Sequence, residues 1–127
     1  MNNNDYIDQE FGIKQMLLHC GVSPKTKGFD FLAKAVYLYT RDRRRKLCDI
    51  YAEIAEETGC DEHTVHNYTD YALNTAKNLC AFINKTLETD YVSYRLNNKS
   101  AVILLAICYA ENNTRKKIGQ PHDRPIF

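Results

Sequence analysis

Apolar residues recur at three- and four-residue steps along most of the chain, the spacing of amphipathic helices. From Tyr6 to Cys20, Ile7, Phe11, Met16, Leu17 and Cys20 define one helical face, and Gly21 is placed to end it. GVSPKTKG (Gly21 to Gly28) has turn chemistry. A second helix is expected from about Lys27 to Arg41, with Phe29, Leu32, Ala33, Val36 and Tyr37 on its buried side. A short helix fits Ile50 to Thr58. Gly59-Cys60-Asp61 then leads into a longer one from Glu62 to about Leu79, carrying Val65, Tyr68, Ala72, Ala76 and Leu79, with Leu73 on the flank. The Asp61 carboxylate suits the N-cap of that helix. After a bend a further helix spans Leu79 to Leu87. A polar connector (Glu88 to Asn98) precedes a last helix, capped by Ser100 and apolar from Ala101 to Ala110. Strand-like alternation is confined to VSYRL (Val92 to Leu96). The expectation is an all-α fold of about six helices in a single domain, residues 1–127, with frayed ends over 1–5 and 113–127.

At 127 residues and 14.7 kDa the chain has the length of one domain, and its 44% hydrophobic content suits a folded core. A net charge of +1 excludes a histone-like polybasic surface but leaves room for a local basic patch. The five cysteines (Cys20, Cys48, Cys60, Cys80, Cys108) are odd in number and contain no C-x-x-C, so neither a zinc ribbon nor a thioredoxin-like pair is indicated. The polar, acidic start MNNNDYIDQEF lacks signal-peptide chemistry, and the run Ala101 to Ala110 is too short to span a bilayer. A reduced, cytoplasmic protein is expected, with no membrane partner.

Two helices joined by a short turn, the second longer, form the helix-turn-helix outline, here roughly 50–58 and 62–79. Steeply crossed helices require a small residue at the contact, and Ala55 is placed for it. The turn favours a left-handed residue, which Gly59 supplies. The second helix must pin itself to the first with a branched apolar side chain, Val65, with Ile54 and Tyr68 completing the core. The outward face of the second helix then carries Glu62, His63, His66, Asn67 and Asp70. In a major groove, Asn67 suits adenine, His63 or His66 a guanine or phosphate, and Asp70 cytosine. Asp49, Glu53, Glu56, Glu57, Asp61, Glu62 and Asp70 fall within Asp49–Leu73, which has no Lys or Arg. Phosphate attraction must therefore come from the flanks. The cluster around Arg43, Arg44, Arg45 and Lys46, with Arg41, lies directly before the motif.

Those features occur in an order that resembles a known family. HCGVSPKTKGFDFLAKAV followed by IYAEIAEETGCDEHTVHNYTDYALNTA is similar to the C-terminal DNA-binding effector domain of the master sporulation response regulator of endospore-forming bacteria. Gly21-Val22, Lys27-Gly28, Tyr51 with Ile54-Ala55, and Val65 match its pattern collinearly, over roughly Ile13 to Ala110. The resemblance implies about six helices with a central helix-turn-helix, transcriptional regulation, and copies bound to neighbouring DNA sites. The family places a Glu-Arg pair after the Val and another Arg three residues on; here those positions are His66, Asn67 and Asp70. Its lysines late in the first motif helix correspond to Glu56 and Glu57. The family's target sequence therefore does not carry over, and its N-terminal receiver domain is not expected in this stand-alone domain.

Cys60, His63 and His66 form a C-x2-H-x2-H spacing with Asp70 one turn beyond, but a fourth ligand is unidentified; polar surface with a buried Cys is the commoner explanation of such a pattern. His66 and Asp70 equally suit an i, i+4 ion pair. No phosphate-binding Gly-rich loop, nucleophile elbow or H-E-x-x-H is present, so neither an enzyme nor a cofactor is expected. Two readings follow. One is a helix-turn-helix regulator that binds double-stranded DNA as a homo-oligomer, with His63, His66, Asn67 and Asp70 towards bases and Arg43, Arg44, Arg45 and Lys46 on phosphates. The other is a protein-interaction module on the same scaffold, offering its acidic face to a basic partner.

Overall fold

The computed structural model describes residues 3–90, 92 and 96–117. The described residues form six helices: α1 (Asn3–His19), α2 (Lys27–Arg41), α3 (Leu47–Thr58), α4 (Glu62–Asn74), α5 (Leu79–Leu87) and α6 (Asn98–Lys117). No strand occurs among the described residues, and the VSYRL segment lies largely outside them. No described helix is long and apolar enough to cross a membrane.

The second helix is the hub: α1, α3, α4 and α6 all pack on it. Its sequence explains this, since Leu32, Ala33, Ala35 and Val36 are fully buried and broaden its apolar side well beyond a single stripe. Gly28 is not a turn residue but sits in the first turn of α2, where the backbone of α4 comes so close that a Cβ would fall 1.8 Å from the Tyr68 carbonyl oxygen. The core joins this hub to Ile13 and Leu17 of α1, Ile50 and Ile54 of α3, Val65 of α4, Ile83 of α5, and Val102 and Leu105 of α6.

Several boundaries differ from those the periodicity predicts. The third helix begins at Leu47, because Lys46 occupies the N-cap and its carbonyl already accepts from Asp49 and Ile50. The fourth ends at Asn74 rather than Leu79. Thr75 turns its hydroxyl back to the Ala72 carbonyl (2.6 Å), and Asn78 N–H donates to Cys20 O (2.9 Å), which diverts the chain to the end of α1. Leu79 remains buried after the turn, so the period runs on although the helix does not. Asn97, not Ser100, caps α6: its side-chain oxygen accepts from the Ser100 N–H at 2.8 Å. That helix continues past Asn112 to Lys117.

On α1 the buried face is Ile13, Met16, Leu17 and Cys20, whereas Ile7 and Phe11, expected on it, are exposed. A step of three or four is shared by any two stripes of a helix, and the two residues lie on the opposite side of the cylinder.

Candidate nucleic-acid interface

Ala55, Gly59 and Val65 lie where α3 gives way to α4. Gly59 adopts φ 75°, and its N–H and that of Cys60 both return to the Ala55 carbonyl, closing α3. Asp61 then caps α4, its carboxylate accepting from Thr64 N–H at 2.7 Å. That backbone hydrogen bond holds the Asp61 carboxyl below its ordinary range. Val65 is fully buried, and Ile54 and Ala55 nearly so. Tyr68, expected in the core, is 37% exposed. With α2 pressed against its carbonyl at Gly28, the Tyr68 side chain spreads over the outside of α2, stacked on Phe31 (6.0 Å between ring centroids) with the Lys27 ammonium 5.8 Å from its ring.

Two rows of solvent-facing side chains run along α4. His63, Asn67 and Tyr71 follow one another at four-residue steps and are all exposed, Tyr71 by 62%. Tyr71 extends the outward row by another turn; the four-residue step from His63 through Asn67 already points to it. His66 and Asp70 form a second row that leans towards α3 and α6. The His66 ring meets the edge of Tyr51 (5.7 Å), and its Nδ1 lies 3.7 Å from Asp70 Oδ2. Asp70 Oδ1 accepts from Asn98 Nδ2 at 2.8 Å, and Asn98 Oδ1 in turn accepts from the buried Tyr51 hydroxyl. Burial foremost, then the nearby Asp70 charge, pushes the Tyr51 phenol upward. The sequence pattern turns Asp70 towards bases; the structure bonds one of its oxygens to Asn98, in a bridge between α4 and α6. Asn98 could not be anticipated from the sequence, since it reaches Tyr51 and Asp70 only through tertiary packing.

The basic loop is divided. Arg43 and Lys46 are exposed. Arg44 is 94% exposed at its side chain and pairs with the carboxylate of Asp42 (3.3 Å). The Arg44 backbone N–H, more than its guanidinium, holds the Asp42 carboxyl below its usual range. Arg45 turns back to Glu53 at 2.7 Å. Lys34 similarly meets Glu57 at 3.2 Å. Two carboxylates of the acidic stretch therefore have cationic partners.

An open cleft of about 530 Å³ lies where α3, α4 and α6 begin. Leu47 and Tyr51 line it from α3, His63 and His66 from α4, Asn98 and Lys99 from α6. Since Leu47 directly follows Lys46, the cleft links the exposed basic loop to the His63 end of α4. Lys99 adds a cation to this neighbourhood that the sequence marks only as scattered surface charge. Among the described residues no three His, Cys, Asp or Glu side chains gather as a metal set. Cys60 directs its sulfur to the Thr58 carbonyl at 4.0 Å, and His66 is turned to Asp70. No protein-family model matches the chain, and no curated protein matches it.

Proposed function

We propose that this chain is a sequence-specific, double-stranded-DNA-binding transcriptional regulator of the sporulation-regulator effector-domain type, working in the cytoplasm without a cofactor and as a homo-oligomer. The observation that carries the reading is the exposed His63–Asn67–Tyr71 row on the second helix of a helix-turn-helix, beside a loop presenting Arg43, Arg44 and Lys46. An α-helix with polar side chains along one edge fits the major groove. Asn67 is the residue for bidentate contact with adenine, and Tyr71 offers an aromatic edge to a thymine methyl. His63 lines the cleft that starts at Leu47, next in sequence to the basic loop, and is suited to the junction of base and phosphate contacts. His66 and Asp70, each about half exposed, flank this row on the side of α3 and α6. The acidic stretch weighs less against this reading than its composition suggests: Glu53 and Glu57 are paired with Arg45 and Lys34, and Asp61 serves as a cap.

Titration of random duplex DNA at rising salt tests the proposal. Binding at about 50 mM salt should weaken as salt rises, with the log–log slope falling by about one for each of Arg43→Ala and Arg44→Ala. Arg45→Ala should alter the slope less, since its guanidinium is held by Glu53. Asn67→Ala should relax the preference at one base position by about 1–3 kcal/mol. A chain that leaves duplex DNA unbound at about 50 mM salt would instead favour the interaction-module reading. Exposed Asp49, Glu56 and Glu62 would then face a basic protein partner.

A further inference from the structure

The outer side of α1 is apolar where a surface helix is ordinarily polar. Ile7 is 57% exposed, Phe11 62% and Leu18 49%, and Lys14 lies between the last two. Ile7, Phe11, Lys14 and Leu18 follow at steps of four, three and four, the alternation of the a and d positions in a helix-pairing seam. This seam lies across the helix from Ile13, Met16 and Cys20, which face the core. The helix is therefore apolar on two opposite sides, and only one of them is covered among the described residues.

We propose that this seam binds a second copy of the same chain, α1 against α1, in antiparallel orientation. The side-chain order selects the orientation. Parallel helices in register would bring Lys14 against Lys14 inside the seam. Antiparallel helices centred between Phe11 and Lys14 bring Ile7 onto Leu18 of the second copy, and Lys14 onto its Phe11. The Lys14 ammonium already sits between Glu10 (3.3 Å) and Asp30 (3.2 Å), so its alkyl stem can cover the neighbouring ring while its charge remains paired. The flanking Asp8 then faces Gln15 of the second copy, and no like charges meet. Each contact recurs through the two-fold axis, as an isologous interface requires.

The area sets the strength. Covering one aromatic and two aliphatic side chains on each copy removes on the order of 600 Å² from water, against about 1,200–2,000 Å² for a stable complex. The pair is therefore weak in free solution and becomes populated when two copies are held side by side, where the effective concentration reaches roughly millimolar. This names the surface behind the homo-oligomer proposed above. It does not depend on DNA binding, and its test needs no DNA.

Sedimentation of the full chain over roughly 10 μM to 1 mM should show reversible dimers at the upper end. Phe11→Ser should weaken dimerisation at least tenfold while circular dichroism shows unchanged helix content. Ile7→Glu and Leu18→Lys should each weaken it, and the chain carrying both should recover, because antiparallel pairing brings the new carboxylate onto the new ammonium of the other copy. Three results would overturn the proposal. The chain could remain monomeric throughout, as it would if the seam serves some other protein. Its dimer could ignore Phe11→Ser, or the double variant could be no better than either single one.

Discussion

Gly28→Ala probes the contact that sets the attitude of α4 towards the rest of the molecule. A Cβ at Gly28 would lie 1.8 Å from the Tyr68 carbonyl oxygen, 2.5 Å from its carbon and 2.9 Å from the Ala72 Cβ. Van der Waals contact begins near 3.4 Å, so the two helices must part by about 1.5 Å at this end. The obstacle is backbone, which has no alternative rotamer to adopt. Overpacking of this kind costs about 1–3 kcal/mol or more, and the better helix propensity of Ala returns at most about 1 kcal/mol. The expected net loss is about 2 kcal/mol, a fall in Tm of roughly 6–12 °C for a domain of this size. Urea unfolding should show a lower midpoint at unchanged m. Two controls separate the contact from glycine chemistry in general. Gly12→Ala would meet the buried Tyr109 side chain first, at 3.2 Å, a misfit of a few tenths of an ångström, and should cost clearly less than Gly28→Ala. Gly59→Ala has open space around it, so only its left-handed backbone is strained, by about 1–2 kcal/mol. A Gly28→Ala protein as stable as the parent would refute the backbone contact between α2 and α4. With it would fall the account of why the Tyr68 side chain lies outside the core.

Asn98→Leu should cost about 1–3 kcal/mol, because the buried Tyr51 hydroxyl loses its acceptor and Asp70 its donor. In a Tyr51→Phe background the same change should cost less; strictly additive losses would dissolve the proposed bridge. The Asp61 carboxyl has a depressed pKa, so its contribution is complete above its unfolded value of about 4 and disappears as pH falls through the lower folded one. The stability gap between parent and Asp61→Ala should therefore hold from neutrality to about pH 4 and close below it, and an unchanging gap at pH 2 would contradict the cap. Burial pushes the Cys20 thiol up to about 12 and that of Cys108 to about 11. A thiol reagent should label exposed Cys48 quickly, and these two only as fast as the chain opens; five equal rates would contradict the packing.

The helices were readable to the extent that local chemistry determines them. Asp61 at an N-cap, Gly59 in a left-handed turn and Val65 in the core each follow from a residue and its near neighbours. Pattern and structure part where tertiary contacts intervene. Thr75 and the Cys20 carbonyl ended α4 early, although Ala76 and Leu79 kept the helical period. Phe11 and Tyr68 look like core residues by type, and both lie outward. Asp70 looks like a surface carboxylate, yet half of it belongs to Asn98, 28 residues away.

Taken alone, the order of side chains determined that this chain is helical, where the motif turns, and that cations precede it while carboxylates fill it. Those properties depend on backbone sterics, short-range hydrogen bonds and charge, all of which act within a few residues. The fold decided which side of each helix meets solvent, which carboxylates are neutralised by Arg45 and Lys34, and how closely α2 approaches α4. Such outcomes depend on distances between groups far apart along the chain, and only packing the whole core fixes those distances.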